Sequence, residues 1–152
     1  MKTSTRLADM THILCLIALF PEADRSSQAL ARSICLNPAT VRAYLSILRQ
    51  GGFIQTVAGH PNPKLARSPE DISLLALYRA AEPSRDLLHI NTHTNPECGD
   101  GIYIQEALQG FYDEVQKSAE RKMESITLRD ILNQWQTLKE EHGWLSARSR
   151  QE

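Results

Sequence analysis

The stretch between residues 28 and 48 combines residue types whose spacing is typical of contacts with DNA. Asn37 offers a side-chain acceptor to the free amides at the start of a helix, and Pro38 fits the first helical position. A shorter helix precedes them, and a tight link at Leu36 joins the two into a helix-turn-helix unit. The second helix of such a unit enters the major groove, where the planar Arg42 side chain can donate two hydrogen bonds to guanine. We therefore predict a DNA-reading helix headed by Asn37, although helical hairpins of this size also occur as plain packing units.

The cations around this helix predict contacts with phosphates. Residues 25–69 contain six arginines and lysines and no acidic residue, whereas residues 91–152 contain seven basic and eleven acidic residues. A locally basic stretch in a chain of net charge −1 favours an anionic partner over ordinary solvated surface. Phosphate contacts fix the register without reading sequence, and we assign Arg25 to this group as well. The predicted DNA-binding residues are Ser27, Asn37, Ala39, Thr40, Arg42, Ala43, Ser46, Arg49, His60, Lys64 and Arg67.

Hydrophobic periodicity and turn residues predict a mainly α fold with a small β-hairpin, which is an α+β class. Of the 152 residues, 41% are hydrophobic, enough for a core. The hairpin would be the wing of a winged helix-turn-helix. The predicted helices cover 4–20, 28–35 (capped by Ser26 or Ser27) and 38–51, and a further helix holds Ile72, Leu75, Tyr78 and Arg79. A long helix is predicted over 102–125 and a last helix over 128–138. The predicted strands cover 53–57 and 64–67.

The long predicted helix carries an apolar stripe. A stripe sustained over about three heptads usually packs against a partner helix. The alternative is that this helix folds back over the first helix of its own chain. We favour a homodimer, because two DNA-reading heads spaced one turn of DNA apart need a bridge. The predicted dimer-interface residues are Ile104, Leu108, Phe111, Val115, Ala119 and Met123.

These elements divide the chain into four parts. We predict a winged helix-turn-helix DNA-binding domain over 1–83 and a connecting loop, in the position of a sensor, over 84–101. The long dimerisation helix and the final helix occupy 102–141. Residues 142–152 are predicted to be a disordered tail.

Six stretches of the sequence match one family of regulators. They are residues 16–20, 36–42, 48–54, 65–72, 79–82 and 127–132. On these stretches the chain resembles, from Met1 to about Trp135, the Rrf-two family of winged-helix transcription regulators of the IscR, NsrR and CymR type. The resemblance implies a homodimer, held by the long helix, that regulates transcription from a palindromic operator, and we expect a repressor.

The resemblance also bears on a cofactor. Many members of the family hold an iron–sulfur cluster through three closely spaced cysteines between the wing and the long helix, whereas this loop contains only Cys98. The resemblance therefore implies the cluster-free branch, and we expect no cofactor. His89, His93 and Cys98, with Glu97, can be drawn around zinc, but this pattern is weak and we predict no metal site.

The cysteines offer another way to sense a signal. Our hypothesis is that Cys98, in a polar loop, is oxidised and pairs with Cys35 of the other subunit, which would lock the reading heads apart. Cys35 stands where the turn of such units often has glycine. The alternative is that Cys15, Cys35 and Cys98 are ordinary small residues. The effector, a small molecule or an oxidant, is not identified by the sequence.

Other classes of protein fit the sequence less well. It has no glycine-rich phosphate loop and no nucleophile elbow, so we predict that it is not an enzyme. Its longest apolar run, residues 13–20, is far shorter than the ~20 residues of a membrane span. Few cysteines suit a reducing compartment, and we expect a soluble, cytoplasmic protein without a membrane partner. The alternative function is a winged-helix module that regulates a partner protein without binding DNA.

Overall fold

The computed structural model is mainly helical with one small antiparallel sheet, which confirms the predicted fold class. It describes residues 4–57, 59–60, 62–82, 84, 86–93, 95 and 97–148, with side chains up to residue 142. The predicted domain, loop and tail also include residues 1–3, 58, 61, 83, 85, 94, 96 and 149–152, which lie outside this part of the chain. The elements are α1 (Arg6–Leu19), α2 (Ser27–Ile34), α3 (Pro38–Gln50), β1 (Ile54–Gln55), β2 (Lys64–Leu65), a 3₁₀ turn (Pro69–Asp71), α4 (Leu74–Ala81), α5 (Gly99–Glu124) and α6 (Leu128–Arg148).

The first helix, α1, forms the centre of the core. Met10, Ile13, Leu14 and Ile17 are buried on one face of it, and Leu7 is partly buried against the same core. α1 packs against α2, α4 and α6. Burying an aliphatic side chain of this size stabilises the fold by about 1.5–3 kcal/mol, so this face alone accounts for much of the driving force. None of the described helices combines the length and apolar character that a bilayer span requires.

The helix-turn-helix unit begins where its capping residues predict. The Ala29 N–H donates to Ser26 Oγ at 3.3 Å and caps α2. The Ala39 N–H donates to Asn37 Oδ1 at 2.8 Å and caps α3, whose first residue is Pro38. Each such cap stabilises a helix by about 1 kcal/mol. The starts of α2 and α3 therefore lie within one residue of their predicted positions.

The turn between α2 and α3 holds a cysteine in the left-handed region. Cys35 has φ 55°, and it is the one non-glycine residue with positive φ in the described chain. Its conformation lets the Leu36 N–H reach the Ala31 carbonyl at 3.0 Å, which closes the end of α2. A side chain with a Cβ in this region costs roughly 1–2 kcal/mol.

Cys35→Gly is expected to raise the free energy of unfolding by about 0.5–1 kcal/mol, because glycine adopts a positive φ without the clash of a Cβ. Urea denaturation followed by far-ultraviolet circular dichroism measures this change. Cys35→Ala is the matched control, since it removes the thiol but keeps the Cβ and should leave stability nearly unchanged. A glycine variant less stable than the parent would contradict the strain at this turn.

The wing is a hairpin with very short strands. Ile54 pairs with Leu65 and Gln55 pairs with Lys64 in an antiparallel register. Each strand has two residues, fewer than the predicted 53–57 and 64–67. Pro63, immediately before β2, has no N–H to donate to the ladder, which limits the pairing on that side.

The segment that leads into α4 differs from its prediction. Ile72 is predicted inside a helix, and this is wrong: it is extended and fully buried. Its carbonyl accepts a hydrogen bond from the Leu128 N–H at 2.8 Å, and the Leu74 N–H donates to the Ile126 carbonyl at 2.8 Å. This pairing with the chain just before α6 overrides the local helical spacing, and α4 begins after its cap, Ser73.

The two C-terminal helices occupy different places. α5 has no buried residue and packs mainly against α4. α6 packs against α1, and Leu128 and Leu132 join the core, so α6 belongs with the first four helices rather than with α5. It also continues to Arg148, ten residues beyond the predicted end at Leu138. Residues 142–148, predicted as part of a disordered tail, are thus helical.

Candidate nucleic-acid interface

The face of α3 opposite the core is open to solvent. Val41, Leu45 and Leu48 are buried on one side of the helix, so the residues between them point outward. Of the predicted contacts, Thr40 and Ser46 are partly buried, and the remaining ones on this helix are exposed. These are Asn37, Ala39, Arg42, Ala43 and Arg49.

Arg42 is free to bind a partner. It forms no ion pair and no side-chain hydrogen bond with another described residue. The first turn of α3 contains no acidic residue, so the positive end of the helix dipole is uncompensated there. A guanidinium fork and a helix N-terminus on the same surface can contact base edges and a phosphate together.

The other predicted contacts lie at the end of α3 and on neighbouring elements. Arg49 is exposed in the last turn of α3, and Lys64 is exposed in β2. His60 is exposed in the loop between the strands, and Ser27 is partly buried at the first position of α2. These four residues lie in the wing, at the start of α2 and at the end of α3.

Arg67 has a structural contact in addition to its predicted contact with phosphate. Its Nε donates to the Gly52 carbonyl at 3.0 Å, and its Nη2 donates to the Gly51 carbonyl. The guanidinium also lies 4.9 Å from the centroid of the Phe53 ring. Gly52 has φ 71°, which glycine adopts freely at the end of α3. Arg67, two residues after β2, therefore joins the wing to the end of α3.

Arg25 is not a surface cation. It is predicted as a phosphate contact, but it is only 5% exposed, so that prediction is wrong. Its backbone N–H donates to Asn62 Oδ1 at 3.0 Å, which ties the start of α2 to the wing. The segments that bury Arg25 are distant from it in sequence, so the local sequence does not predict its burial.

The predicted stripe on α5 is largely uncovered. Ile104 is 61% exposed and Phe111 is 66% exposed, and Leu108 and Val115 are exposed as well. Ala119 and Met123, at the other end of the stripe, are partly buried. Tyr103, 71% exposed, widens the apolar surface and lies outside the predicted set, because that set follows strict three- and four-residue steps.

The C-terminal half of α5 is attached to α4. Arg79 Nη2 and Glu120 Oε2 form an ion pair at 3.1 Å, and the Leu87 N–H donates to Gln116 Oε1 at 3.0 Å. The alternative in which the long helix folds back over α1 is therefore wrong, since α5 has α4 as its main neighbour. The exposed part of the stripe precedes this attachment along the helix.

The three cysteines differ in environment. Cys35 and Cys98 are exposed, and Cys98 is the residue immediately before α5. Cys15 is partly buried in α1, and burial raises the pKa of its thiol to about 11. A thiol with so high a pKa is almost fully protonated near neutral pH, so Cys15 is a poor nucleophile.

Alkylation with iodoacetamide at pH 8 is expected to modify Cys15 at least about tenfold more slowly than an ordinary thiol, because burial raises its pKa to about 11 and leaves little thiolate, a loss that the greater nucleophilicity of a more basic thiolate offsets only in part. Mass spectrometry of tryptic peptides against time measures the rate for each cysteine. The rate should increase as the pH approaches 11, where the thiolate forms. Equal rates at Cys15 and Cys98 at pH 8 would contradict the burial of Cys15.

Comparisons with known proteins agree with this geometry. The model of the Rrf2 family, described as iron-dependent transcriptional regulators, matches residues 3–134. YwnA of Bacillus subtilis strain 168, which is assigned to the HTH-type transcriptional regulators, is 36% identical over 86% of this chain and 96% of its own. A crystal structure of a protein to which DNA binding is ascribed has 35% identity and a TM-score of 0.68, over 84% of this chain and 98% of that one. IscR from T. potens has 25% identity and a TM-score of 0.64, over 88% of both chains.

The capped recognition helix and the hairpin beside it define a winged helix-turn-helix protein of the DNA-binding class. The chain belongs to the Rrf2 family, which is the family that the sequence resembles. It is therefore a transcriptional regulator and not an enzyme, as predicted.

The Rrf2 family includes members with an iron–sulfur cluster and members without one. In the described chain, no group of three or more His, Cys, Asp and Glu side chains could hold a metal ion. His89, His93 and Cys98 are exposed and do not form such a group. The residues present therefore do not fit a cluster held by three thiolates.

Proposed function

We propose that this regulator is a homodimeric repressor that binds a palindromic operator through the N-terminal half of α3. The single observation that carries the proposal is the open face of α3, with Arg42 uncovered beside the helix N-terminus. In this arrangement Arg42 reads a base edge in the major groove. Arg49, Lys64 and His60 contact the backbone and fix the register.

The uncovered stripe on α5 supports the dimer. A helix with no buried residue and several large apolar side chains in water is unfavourable as a free surface. Packing the same stripe of two copies about a two-fold axis buries it in both. With 26 residues, α5 is about 39 Å long, comparable to the ~34–36 Å between half-sites one turn apart.

We also propose that the protein works without a cluster and responds to oxidation of thiols. Cys98 and Cys35 are both exposed, as a disulfide between subunits requires. A peroxide would accept two electrons and the two thiol protons and be reduced, while the two sulfurs bond. Operator release by peroxide should be lost in Cys98→Ser and kept in Cys15→Ser. Unchanged release in Cys98→Ser would contradict this response.

Fluorescence anisotropy with the DNA upstream of its own gene tests the proposed function. The labelled duplex is titrated with the protein at two salt concentrations, next to a shuffled duplex of equal length. We expect tighter binding to the native duplex, with affinity that falls steeply as salt increases, because released counterions drive phosphate contacts. Absence of binding to this duplex and to genomic fragments would instead favour a module that regulates a partner protein.

A further inference from the structure

The buried side chain of Arg25 is unusual among the charged groups of this molecule. Its Nε is enclosed and has no hydrogen-bond partner. The ion pairs found in the described chain, Arg79 with Glu120 and Arg129 with Glu70, do not include it. Burying an N–H donor without a partner is destabilising, so a purely structural role would predict a hydrogen-bond partner for Nε within the fold.

A cavity of about 190 Å³ lies against Arg25. It is enclosed by the end of α1, the loop after it and one face of α2. Leu16, Phe20 and Leu30 form apolar walls, and Ser33 is a further polar residue of the lining. The cavity has the volume of about six water molecules. It thus combines a small apolar space with one cation.

The charges around the cavity favour a carboxylate over a phosphate. Asp24 also lines the cavity, and its carboxylate accepts a hydrogen bond from the Ser26 N–H at 2.9 Å. Hydrogen bonds from Ser26 hold the pKa of Asp24 below its usual value, so it stays ionised. The Arg25 guanidinium can pair with one carboxylate, and the fixed negative charge of Asp24 disfavours a ligand with a second negative charge. A guanidinium binds a carboxylate through two parallel hydrogen bonds.

We propose that this cavity, the Arg25 cavity, binds a small monocarboxylic acid with an apolar body of about four to six carbons. The carboxylate supplies the partner that the guanidinium lacks, and the apolar body fills the space between Phe20 and Leu30. The backbone of Arg25 is bonded to Asn62 in the wing, so the ligand lies at the joint between α2 and the wing. The effect of this ligand on DNA binding rests on the proposed function, whereas binding of the ligand to the cavity does not.

Thermal unfolding of the full chain with valerate, isovalerate or benzoate tests the site without DNA. At a concentration about a hundred times Kd we expect Tm to rise by about 5–10 °C. The corresponding neutral amides and inorganic phosphate should leave Tm unchanged. Phe20 contacts Trp135 edge-on at 6.3 Å between ring centroids, so tryptophan fluorescence should change with the same concentration dependence. No shift with any of the acids, or an equal shift with phosphate, would overturn the proposal.

Arg25→Met separates a ligand site from a structural arginine. It keeps the length of the side chain, removes the unpartnered charge, and should abolish the shift while giving a Tm without ligand equal to or above that of the parent. Arg121→Met, at an exposed arginine on α5 away from the cavity, is the control and should keep the full shift. Ala29→Leu fills the cavity from the opposite wall and should also abolish the shift. A shift that persists in Arg25→Met would refute the site.

The consequence for DNA is measured separately, by anisotropy with the operator duplex. Saturating acid should change the operator affinity of the parent at least threefold and leave that of Arg25→Met unchanged. If Tm rises and affinity does not change, the site stands and its regulatory role is overturned. If no DNA is bound at all, the proposed function fails while the thermal result still decides the site.

Discussion

Replacing Leu108 with glutamate is expected to convert the protein into a monomer and to weaken operator binding by at least about a hundredfold. Leu108 lies in the middle of the exposed stripe on α5, between Ile104 and Phe111. In a two-fold interface one substitution puts two carboxylates into the same apolar contact. Burying an unpaired charge costs several kcal/mol, more than a loosely packed interface can offset.

Sedimentation velocity gives the oligomeric state, and anisotropy with the operator duplex gives the affinity. Lys117→Glu is the matched control, because it adds a glutamate nine residues further along, on the opposite side of the helix. It should remain a dimer. Since α5 contributes no buried residue to its own protomer, the Leu108 variant should keep the helical circular dichroism spectrum of the parent. An intact dimer in the Leu108 variant would contradict the interface.

The parts of the fold that depend on local chemistry could be predicted from the sequence. The caps of α2 and α3 are such parts, since Ser26 and Asn37 bond to amides two or three residues away. The buried stripe of α3 is another, because side chains four residues apart lie on the same face of any helix. The open face that carries Arg42 follows from these two facts.

The parts that depend on distant segments could not be predicted in this way. Ile72 has helical spacing with its neighbours, yet it pairs with the chain before α6, more than fifty residues away. Arg25 and Arg67 both look like surface cations in a basic stretch. Arg25 is buried next to α1 and α2, and its backbone is bonded to Asn62 of the wing. Arg67 donates hydrogen bonds to the carbonyls at the end of α3. Residue type and spacing contain no information on such contacts.

These contacts link the reading helix to the rest of the molecule. Arg67 fixes the wing to the end of α3, and Arg25 fixes the start of α2 to the wing through Asn62. The pairing of Ser73 with Thr127 joins the segment before α4 to the start of α6. α4 in turn contacts the C-terminal half of α5 through Arg79. A change at the joint of α2 and the wing can therefore alter how the two α3 helices of a dimer meet DNA.

Replacing Arg42 with alanine is expected to weaken binding to the operator by about 1–3 kcal/mol, roughly 5- to 150-fold, while binding to random DNA changes little. The reason is the position of the side chain. Arg42 lies one turn into α3 on its exposed face and has no partner among the described residues. Its replacement is therefore expected to remove the proposed interaction with a base without disturbing the fold.

Anisotropy with operator and shuffled duplexes at one salt concentration separates base reading from phosphate binding. Arg49→Ala is the matched control on the same helix, since removing a phosphate-binding side chain there should weaken both duplexes by a similar factor and reduce the salt dependence by about one ion. Thermal unfolding should be the same for the parent and both variants, because both side chains are exposed. If Arg42→Ala reduces the affinity for both duplexes equally, Arg42 binds a phosphate. The smaller side chains of α3 would then be the ones that contact the bases.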